Sequence, residues 1–408
     1  MHSFFWNLIK YKMKYETRAL AGFFASDLQK EAHNIRIEAE KLNPVWQKFC
    51  QVLACRDDLI GTVLASELRY LLDACPPHDH DVTIQTVAKE MPDEKFVTPF
   101  NKQYLIGSGT IAQVYRVYST NRNKWVALKI KHPNINSDIK TASTQYKSIS
   151  SSIWFPNNLK ICGDEFFKGL SKQEDFELEF VSGRKMKNIF HLSSLSSKNT
   201  PIFVVPEMLR RSDSIIIMDY EPGDCNLLSI PDPRIKDVVG LTMIYIQVAS
   251  IYHGLLHSDL HWGNFSVRLN PLRIVMYDFG WVVDLSETPI EMRTKWAKAF
   301  FNRNAILIFE LMIQSMKISD TEKVTHIMNI RKIMTDMKPT ELFSTQIKRM
   351  LFYYQSHGLV YNDELIAIMY ACIHSEQIEK ISNVPSPEDV HKHLPFAEFD
   401  CLYQLMQI

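Results

Sequence analysis

Neither sign of charge predominates in this sequence of 408 residues: 46 Lys and Arg are matched by 46 Asp and Glu. A chain without net charge has no strong pull toward nucleic acid or anionic lipid, so no nucleic-acid partner is expected. Paired cysteines are missing too. The seven cysteines (Cys50, Cys55, Cys75, Cys162, Cys225, Cys372, Cys401) are odd in number and scattered, with no C-x-x-C. That argues against a zinc ribbon or disulfide scaffold and for an intracellular, reducing compartment. No repeat or low-complexity tract stands out. The N-terminal "MHSFFWNLIKYKMKYETR" has no clean apolar core or cleavage site and so is not a good secretory signal. It could lie on a membrane surface or act as an organelle-targeting helix; a frayed basic terminus is the expectation. One run, Val238 to Leu256, has no Asp, Glu, Lys or Arg, and about 18–20 such residues cross a bilayer. It holds Gln247, Ser250 and His253 and runs straight into "HSD". A buried helix feeding a loop is therefore expected there.

What is present suffices for two or three packed units, with 46 % apolar residues to fill their cores. Glu31 to Asp73 reads as helices, and Leu64, Leu68, Leu71 and Leu72 recur at helical spacing. "DACPPHDHD" breaks the pattern with two prolines; its histidines and aspartates are expected in a solvated turn rather than a metal site. From Lys102 to Lys131 the texture becomes strand-like, "QVYRVYS" and "KWVALKI" being separated by the turn-like "TNRN". Phe166 to Phe190 reads as one charged helix, "IFVVPEM" and "SIIIMDY" as strands, and the chain beyond Asp237 as mainly helical. The expected fold is α+β and two-lobed, with a helical extension over 1–100, a sheet-rich lobe over 101–220 and a helical lobe over 221–408.

Several short motifs then fall in one order. In "IGSGTIAQV", Ile106 to Val114, Gly107 and Gly109 let backbone approach a phosphate chain closely. The candidate nucleotide contacts are Ile106, Gly107, Ser108, Gly109, Thr110, Ala112 and Val114. "VALK" ends in Lys129, a cation on an apolar strand that needs a partner. "IIIMDYEPGD" has the form of a strand followed by a polar hinge, where Met218 and Tyr220 would flank an adenine. "HSDLHWGNF" gives His257, Asp259 and Asn264 as H-x-D-x-x-x-x-N, and Asp278, Phe279 and Gly280 give D-F-G. Asp259 suits a base for a hydroxyl or water. Asn264 and Asp278 offer hard oxygens to Mg²⁺. Taken singly these signals are weak; in series they have the order of a kinase's ATP site.

The surrounding residues resemble one branch of the kinase superfamily, the UbiB-like atypical kinases, also called aarF-domain-containing kinases. "SGTIAQVYRV", "VALKIKHPNI" and "HSDLHWGNF" are similar to its motifs. Its catalytic loop lacks the usual lysine, and His261 stands there in this chain. "NPVWQKFCQVLACRDDLI" is similar to the family's K-x-G-Q signature through Lys48 and Gln51, with Cys50 in place of the glycine. "LSKQEDFELEFVSG" matches an E-x-D element through Asp175, with Gln173 in place of the Glu, and supplies Glu179. No A-P-E segment follows the D-F-G, as in the family.

The resemblance implies a two-lobed kinase-like fold whose helical extension covers the cleft, with Glu179 pairing with Lys129 and with Lys48, Gln51 and Asp175 in a regulatory cover. It implies ATP and Mg²⁺ as cofactors, weak or absent peptide phosphorylation, and ATPase activity answering to lipids or phenolic molecules. Support of quinone or isoprenoid-lipid metabolism, peripheral membrane contact and a mitochondrial location are implied by the family alone. An aminoglycoside- or choline-kinase-like phosphotransferase is disfavoured by the D-F-G and the VALK strand. A nucleotide-binding pseudokinase adaptor draws support from Gln173 and Cys50, and Lys129, Asp259, Asn264 and Asp278 weigh against it.

Overall fold

The structure, a computed structural model, describes residues 2–21, 26–71, 75–192, 203–335, 342–359 and 363–381. It resolves into two units: Met1–Phe176 with Arg210–Ile217 and Tyr354–Leu359, and Glu177–Leu209 with Met218–Tyr353 and Val360–Ile408. The candidate positions Leu72 and Cys401 lie outside the described residues.

The first unit opens with six helices, α1 (His2–Ala21), α2 (Ser26–Ala39), α3 (Pro44–Ala54), α4 (Asp57–Ile60), α5 (Thr62–Leu68) and α6 (His80–Glu90). The expected frayed terminus is instead a packed helix. Phe4, Phe5, Leu8, Ile9 and Tyr11 of α1 are buried, an apolar face at helical spacing. Lys12, buried too, donates to the Leu59 carbonyl at 2.7 Å and pairs with Glu16 at 2.7 Å, which satisfies the ammonium that burial would otherwise penalise. Asn43 caps α3 through the Trp46 N–H, with Pro44 at its first turn. That helix buries Val45, Trp46, Phe49, Cys50 and Leu53, so the sulfur of Cys50 fills core volume. Phe5, Trp46, Phe49, Tyr146, Phe166 and Phe167 meet in one aromatic cluster. At the end of α3, fully buried Arg56 forks onto both oxygens of Asp58 at 2.8 and 2.7 Å and donates to Gln355 Oε1 at 3.0 Å.

Next comes β1 (Leu105–Ser108), then β2 (Ala112–Ser119) and β3 (Lys124–Lys131), antiparallel with Val114 opposite Lys129. The "TNRN" turn closes with Asn123 at positive φ, a conformation Asn tolerates. Helices α7 (Ile135–Ser150) and α8 (Asn157–Gln173) follow. The single charged helix expected over 166–190 is in fact two: α8 stops at Gln173 and α9 (Phe176–Leu192) starts after exposed Asp175. Farther along lie β4 (Phe203–Val204), β5 (Met208–Arg211) and β6 (Ile215–Asp219), and the first sheet has the order β1-β2-β3-β6-β5.

In the "PPHDHD" stretch Pro76, Pro77, Asp79 and Asp81 are exposed, as expected of a solvated turn, while His78 and His80 are half-buried and hydrogen-bonded. Asp79 caps α6 by accepting the Asp81 N–H. His78 Nδ1 meets His132 Nδ1 at 2.8 Å, His78 Nε2 meets Thr83 Oγ1 at 3.0 Å, and His80 Nδ1 meets the Tyr115 hydroxyl at 2.6 Å. Thr83 is a local partner on α6, whereas Tyr115 on β2 and His132 just after β3 are brought to these histidines only by folding.

The second unit is built on α10 (Pro233–His253), whose ends are set by Asp232, which accepts the Arg234 N–H, and by Gly254 at φ 83°. By length and composition α10 could cross a membrane, but Val239 to Ile251 lie buried inside the unit. That is the expected core helix. It delivers the chain to β7 (Leu255–His257), followed by β8 (Phe265–Leu269), β9 (Leu272–Met276), β10 (Val282–Asp284) and five helices, α11 (Ile290–Phe301), α12 (Ala305–Ser315), α13 (Asp320–Thr335), α14 (Phe343–Ser356) and α15 (Asp363–Ile381). β7 pairs with β10, and β8 pairs with β9, which also carries β4. The chain leaving β7 and the chain leaving β9 are thereby held side by side, and these two connections are the candidate catalytic segments.

Candidate active site

In the first unit the glycine loop joins β1 to β2. The Gly109 N–H closes on the Ala112 carbonyl at 2.9 Å, and the Cys75 N–H donates to the Ser108 carbonyl at 3.0 Å. A Cβ at Gly107 would meet nothing, and at Gly109 only the Ala112 oxygen at 3.8 Å. Internal packing therefore does not demand these glycines; they leave space over the loop, as a bound phosphate requires. Of the candidate contacts, Ala112 is buried, Ser108, Thr110 and Val114 are half-buried and Ile106 is exposed. His132, three residues after Lys129 in "VALKIKHPNI", donates through Nε2 to the Gly109 carbonyl at 2.8 Å. A carbonyl only accepts, so the His132 proton is on Nε2 and its Nδ1 receives the His78 Nδ1–H. Burial lowers the pKa of His132, and lowers that of His78 to about 4. The neutral forms this arrangement needs are thus the favoured ones.

Lys129 stands two residues before the end of β3 with its ammonium over the buried Phe176 ring, 5.6 Å from its centre, and Lys131, the last residue of the strand, stands over the same ring at 4.7 Å. These are cation–π contacts. Burial lowers the pKa of Lys131, against the pull of Glu174 and Asp175. Lys48 and Gln51 are half-buried on α3.

In the second unit, His257 is buried and neutral by geometry. Its Nε2 lies 2.5 Å from the Asp278 carbonyl, which can only accept, and its Nδ1 receives the Asp259 N–H at 3.3 Å. One ring therefore bolts the segment after β7 to the segment after β9, and burial lowers its pKa, with the Asp278 bond opposing. The Ser258 N–H adds a bond to the Trp281 carbonyl at 2.9 Å, and the Tyr277 N–H one to Asn264 at 3.0 Å. Asn264 gives its amide nitrogen to the Asp259 carbonyl at 2.7 Å, which turns its Oδ1 into the ligand end. Asp278 accepts the Gly280 N–H on Oδ1 at 2.9 Å.

Phe279 of the D-F-G is fully buried and lies 6.2 Å, ring to ring, from His257. Gly183 of α9 makes this possible: a Cβ there would meet Met208 Cε at 2.2 Å and Phe279 Cδ2 at 3.2 Å. Glu179, one turn earlier on α9, is fully buried, as is Met218, while Tyr220 is half-buried.

The oxygens of Asn264 and Asp278 fit Mg²⁺, which takes one or two protein oxygens together with waters and phosphate. Among the described residues no group of three or more His, Cys, Asp and Glu is placed to hold a metal.

The model of the ABC1 atypical kinase-like domain matches residues 70–312, more than half of the chain. The chain belongs to the ABC1 atypical kinase-like family. This is the UbiB and aarF group that its motifs resemble, and with it comes the α+β, two-lobed kinase-like fold. Among solved structures, the chain is similar to the Rv3197–erythromycin complex of Mycobacterium tuberculosis at 15 % identity and TM-score 0.45, over 75 % of this chain and 83 % of that one. It is similar to the Rio2 kinase–ADP/Mg²⁺–phosphoaspartate complex of Chaetomium thermophilum at 14 % and TM-score 0.29, over 82 % and 96 %. A third is the PknI kinase domain of M. tuberculosis, at 14 % and TM-score 0.27, over 68 % and 93 %.

One side chain of this ABC1-family chain lies outside every motif. His374, on α15 and beyond the matched domain, brings Nδ1 to 3.0 Å from the Ser258 carbonyl and 3.4 Å from Asp259 Oδ1. The signal available for it was slight: a lone histidine in an apolar helical run, one turn after Tyr370.

Proposed function

We propose that this chain is an ATP- and Mg²⁺-dependent atypical kinase of the UbiB type, acting as an ATPase or as a phosphotransferase toward a small or lipid-linked molecule. The observation that carries the reading is the joining of Asp259 and Asp278 through His257, with the Asn264 amide turned so that its oxygen is the ligand end. In this reading Lys129 holds phosphate oxygens, and Glu179 is the carboxylate that fixes Lys129. Asp259 takes the proton of the attacking hydroxyl or water. Asn264 and Asp278 hold Mg²⁺, which supplies charge neutralisation on the phosphates. The glycine-loop residues Ile106 to Val114 cover the phosphates, and Met218 and Tyr220 flank the base. Lys48, Gln51 and Asp175 belong to a cover that excludes protein substrates, so generic peptides are not phosphorylated in trans. Support of quinone or isoprenoid-lipid metabolism follows from the family and is part of the proposal.

Peripheral membrane contact is supported by the loop between α7 and α8. Ile153 and Trp154 are 91 % and 83 % exposed there, beside a cleft lined by Lys147, Lys160 and Lys168. An exposed indole suits a lipid interface. The described cysteines are all free thiols, which supports an intracellular, reducing compartment.

The test is ATP turnover by the full chain with and without Mg²⁺, across vesicles and a panel of phenols. Mg²⁺-dependent hydrolysis, raised by one of these additives and reduced at least tenfold in Lys129→Ala, is expected. Nucleotide binding with no turnover under any condition would favour the adaptor reading, which Gln173 and Cys50 also favour.

A further inference from the structure

We propose that helix α15 belongs to the catalytic apparatus, with His374 as the positioning residue for Asp259. The inference deepens the phosphoryl-transfer reading above and rests on it. Its starting point is a proton count. The Ser258 carbonyl, 3.0 Å from His374 Nδ1, can only accept a hydrogen bond, so Nδ1 carries the proton. The same N–H leans on Asp259 Oδ1 at 3.4 Å. From the other side comes His261, which occupies the place of the missing catalytic-loop lysine. Its Nδ1 accepts the Gly263 N–H at 3.0 Å, so its neutral ring keeps the proton on Nε2, 3.9 Å from the same Asp259 Oδ1. Two imidazole N–H groups, one from the catalytic loop and one from the C-terminal helix, therefore converge on one carboxylate oxygen.

Helix α15 is not present at this point by one contact. Tyr370, a turn before His374 and on the same face, packs its ring on Trp281 at 5.3 Å between centres. Trp281 follows the D-F-G glycine, and its carbonyl receives the Ser258 N–H at 2.9 Å. Tyr370 and His374 thus brace both segments that His257 ties together. A carboxylate that must meet a hydroxyl proton has to be held in one rotamer, since a 1 Å misplacement costs about a hundredfold in rate. In an ordinary kinase loop a lysine stands two residues after the base; here the ordering falls to a histidine from a helix outside the matched domain.

The experiment uses the full chain. His374→Ala should lower kcat for ATP turnover by about ten- to a hundredfold while KM for Mg-ATP moves less than about twofold, because the residue acts at Asp259. His374→Asn, whose amide nitrogen falls near the place of Nδ1, should recover most of the rate, and His374→Gln, whose amide lies farther out, should not. Long-range ¹H–¹⁵N spectra of the histidines should place the His374 proton on Nδ1 and move its signals in Asp259→Asn. An unchanged kcat in His374→Ala, or a proton on Nε2, would overturn the proposal. If the wild-type chain does not turn ATP over, the phosphoryl-transfer reading fails, and the spectra still decide whether His374 holds Asp259. If His374→Ala does not fold, the Asn and Gln pair carries the comparison.

Discussion

Replacing His257 tests the junction on which the site depends. The ring is 1 % exposed and makes two bonds, one to the Asp278 carbonyl at 2.5 Å and one from the Asp259 N–H at 3.3 Å. His257→Ala leaves one part-buried acceptor and one part-buried donor without their ring partner, at about 1–3 kcal/mol each. The longer bond belongs at the low end of that range and the shorter at the high end, so about 4 kcal/mol is expected together. That is a large part of the 5–15 kcal/mol typical of a folded domain. Two conservative variants separate the bonds. In His257→Gln the amide nitrogen reaches the place of Nε2 and keeps the Asp278 bond; in His257→Asn the amide oxygen sits near Nδ1 and keeps the Asp259 bond. The assay is urea unfolding at constant slope, with hydrogen exchange of the amides over 255–280 reporting local opening. His257→Ala should lower the unfolding midpoint most and deprotect these amides. Gln should lie nearer wild type than Asn, since it keeps the shorter bond. An Ala variant within about 0.5 kcal/mol of wild type, the range of an ordinary surface change, would refute the bridging role.

Asp278→Asn keeps an oxygen for the Gly280 N–H but removes a charge, so the chain should stay folded and lose most of the Mg²⁺ dependence of nucleotide binding, measured by titration with and without metal. Arg56→Ala should destabilise the first unit by about 3–5 kcal/mol, because it strands Asp58 in partly buried surroundings; an unfolding midpoint equal to wild type would count against that pair. Stability should be full above about pH 6.5 and fall as the pH drops toward about 4, measured by urea midpoints across that range. His78, with a pKa lowered to about 4, and the depressed His132 and His257 resist protonation when folded and accept it when unfolded, so proton uptake favours unfolding in this window. In His78→Asn the fall should be shallower, and an unchanged slope would remove His78 from the account.

What could be read in the sequence, and what could not, divides along chain distance. The β2–β3 hairpin, the buried α10 and the order of the glycine loop, VALK strand, Asp259, Asn264 and D-F-G were legible because each is encoded within a few neighbouring residues. The packing of α1 is not legible locally, because the ammonium of Lys12 finds its partner in the Leu59 carbonyl 47 residues away. The contact of His78 is hidden from the sequence because its partner His132 stands 54 residues farther on. His374 lies 116 residues from the Ser258 carbonyl that fixes its proton. In each case a polar group finds its partner only through tertiary packing, and no local spacing rule announces that. The consequence is specific to this site. The metal and phosphate ligands proposed for it sit in short motifs with fixed local spacing, while His374, proposed to orient Asp259, comes from a distant helix under no such rule. Short motifs therefore mark the candidate site in this chain, and long-range hydrogen bonds to histidine tie its segments together.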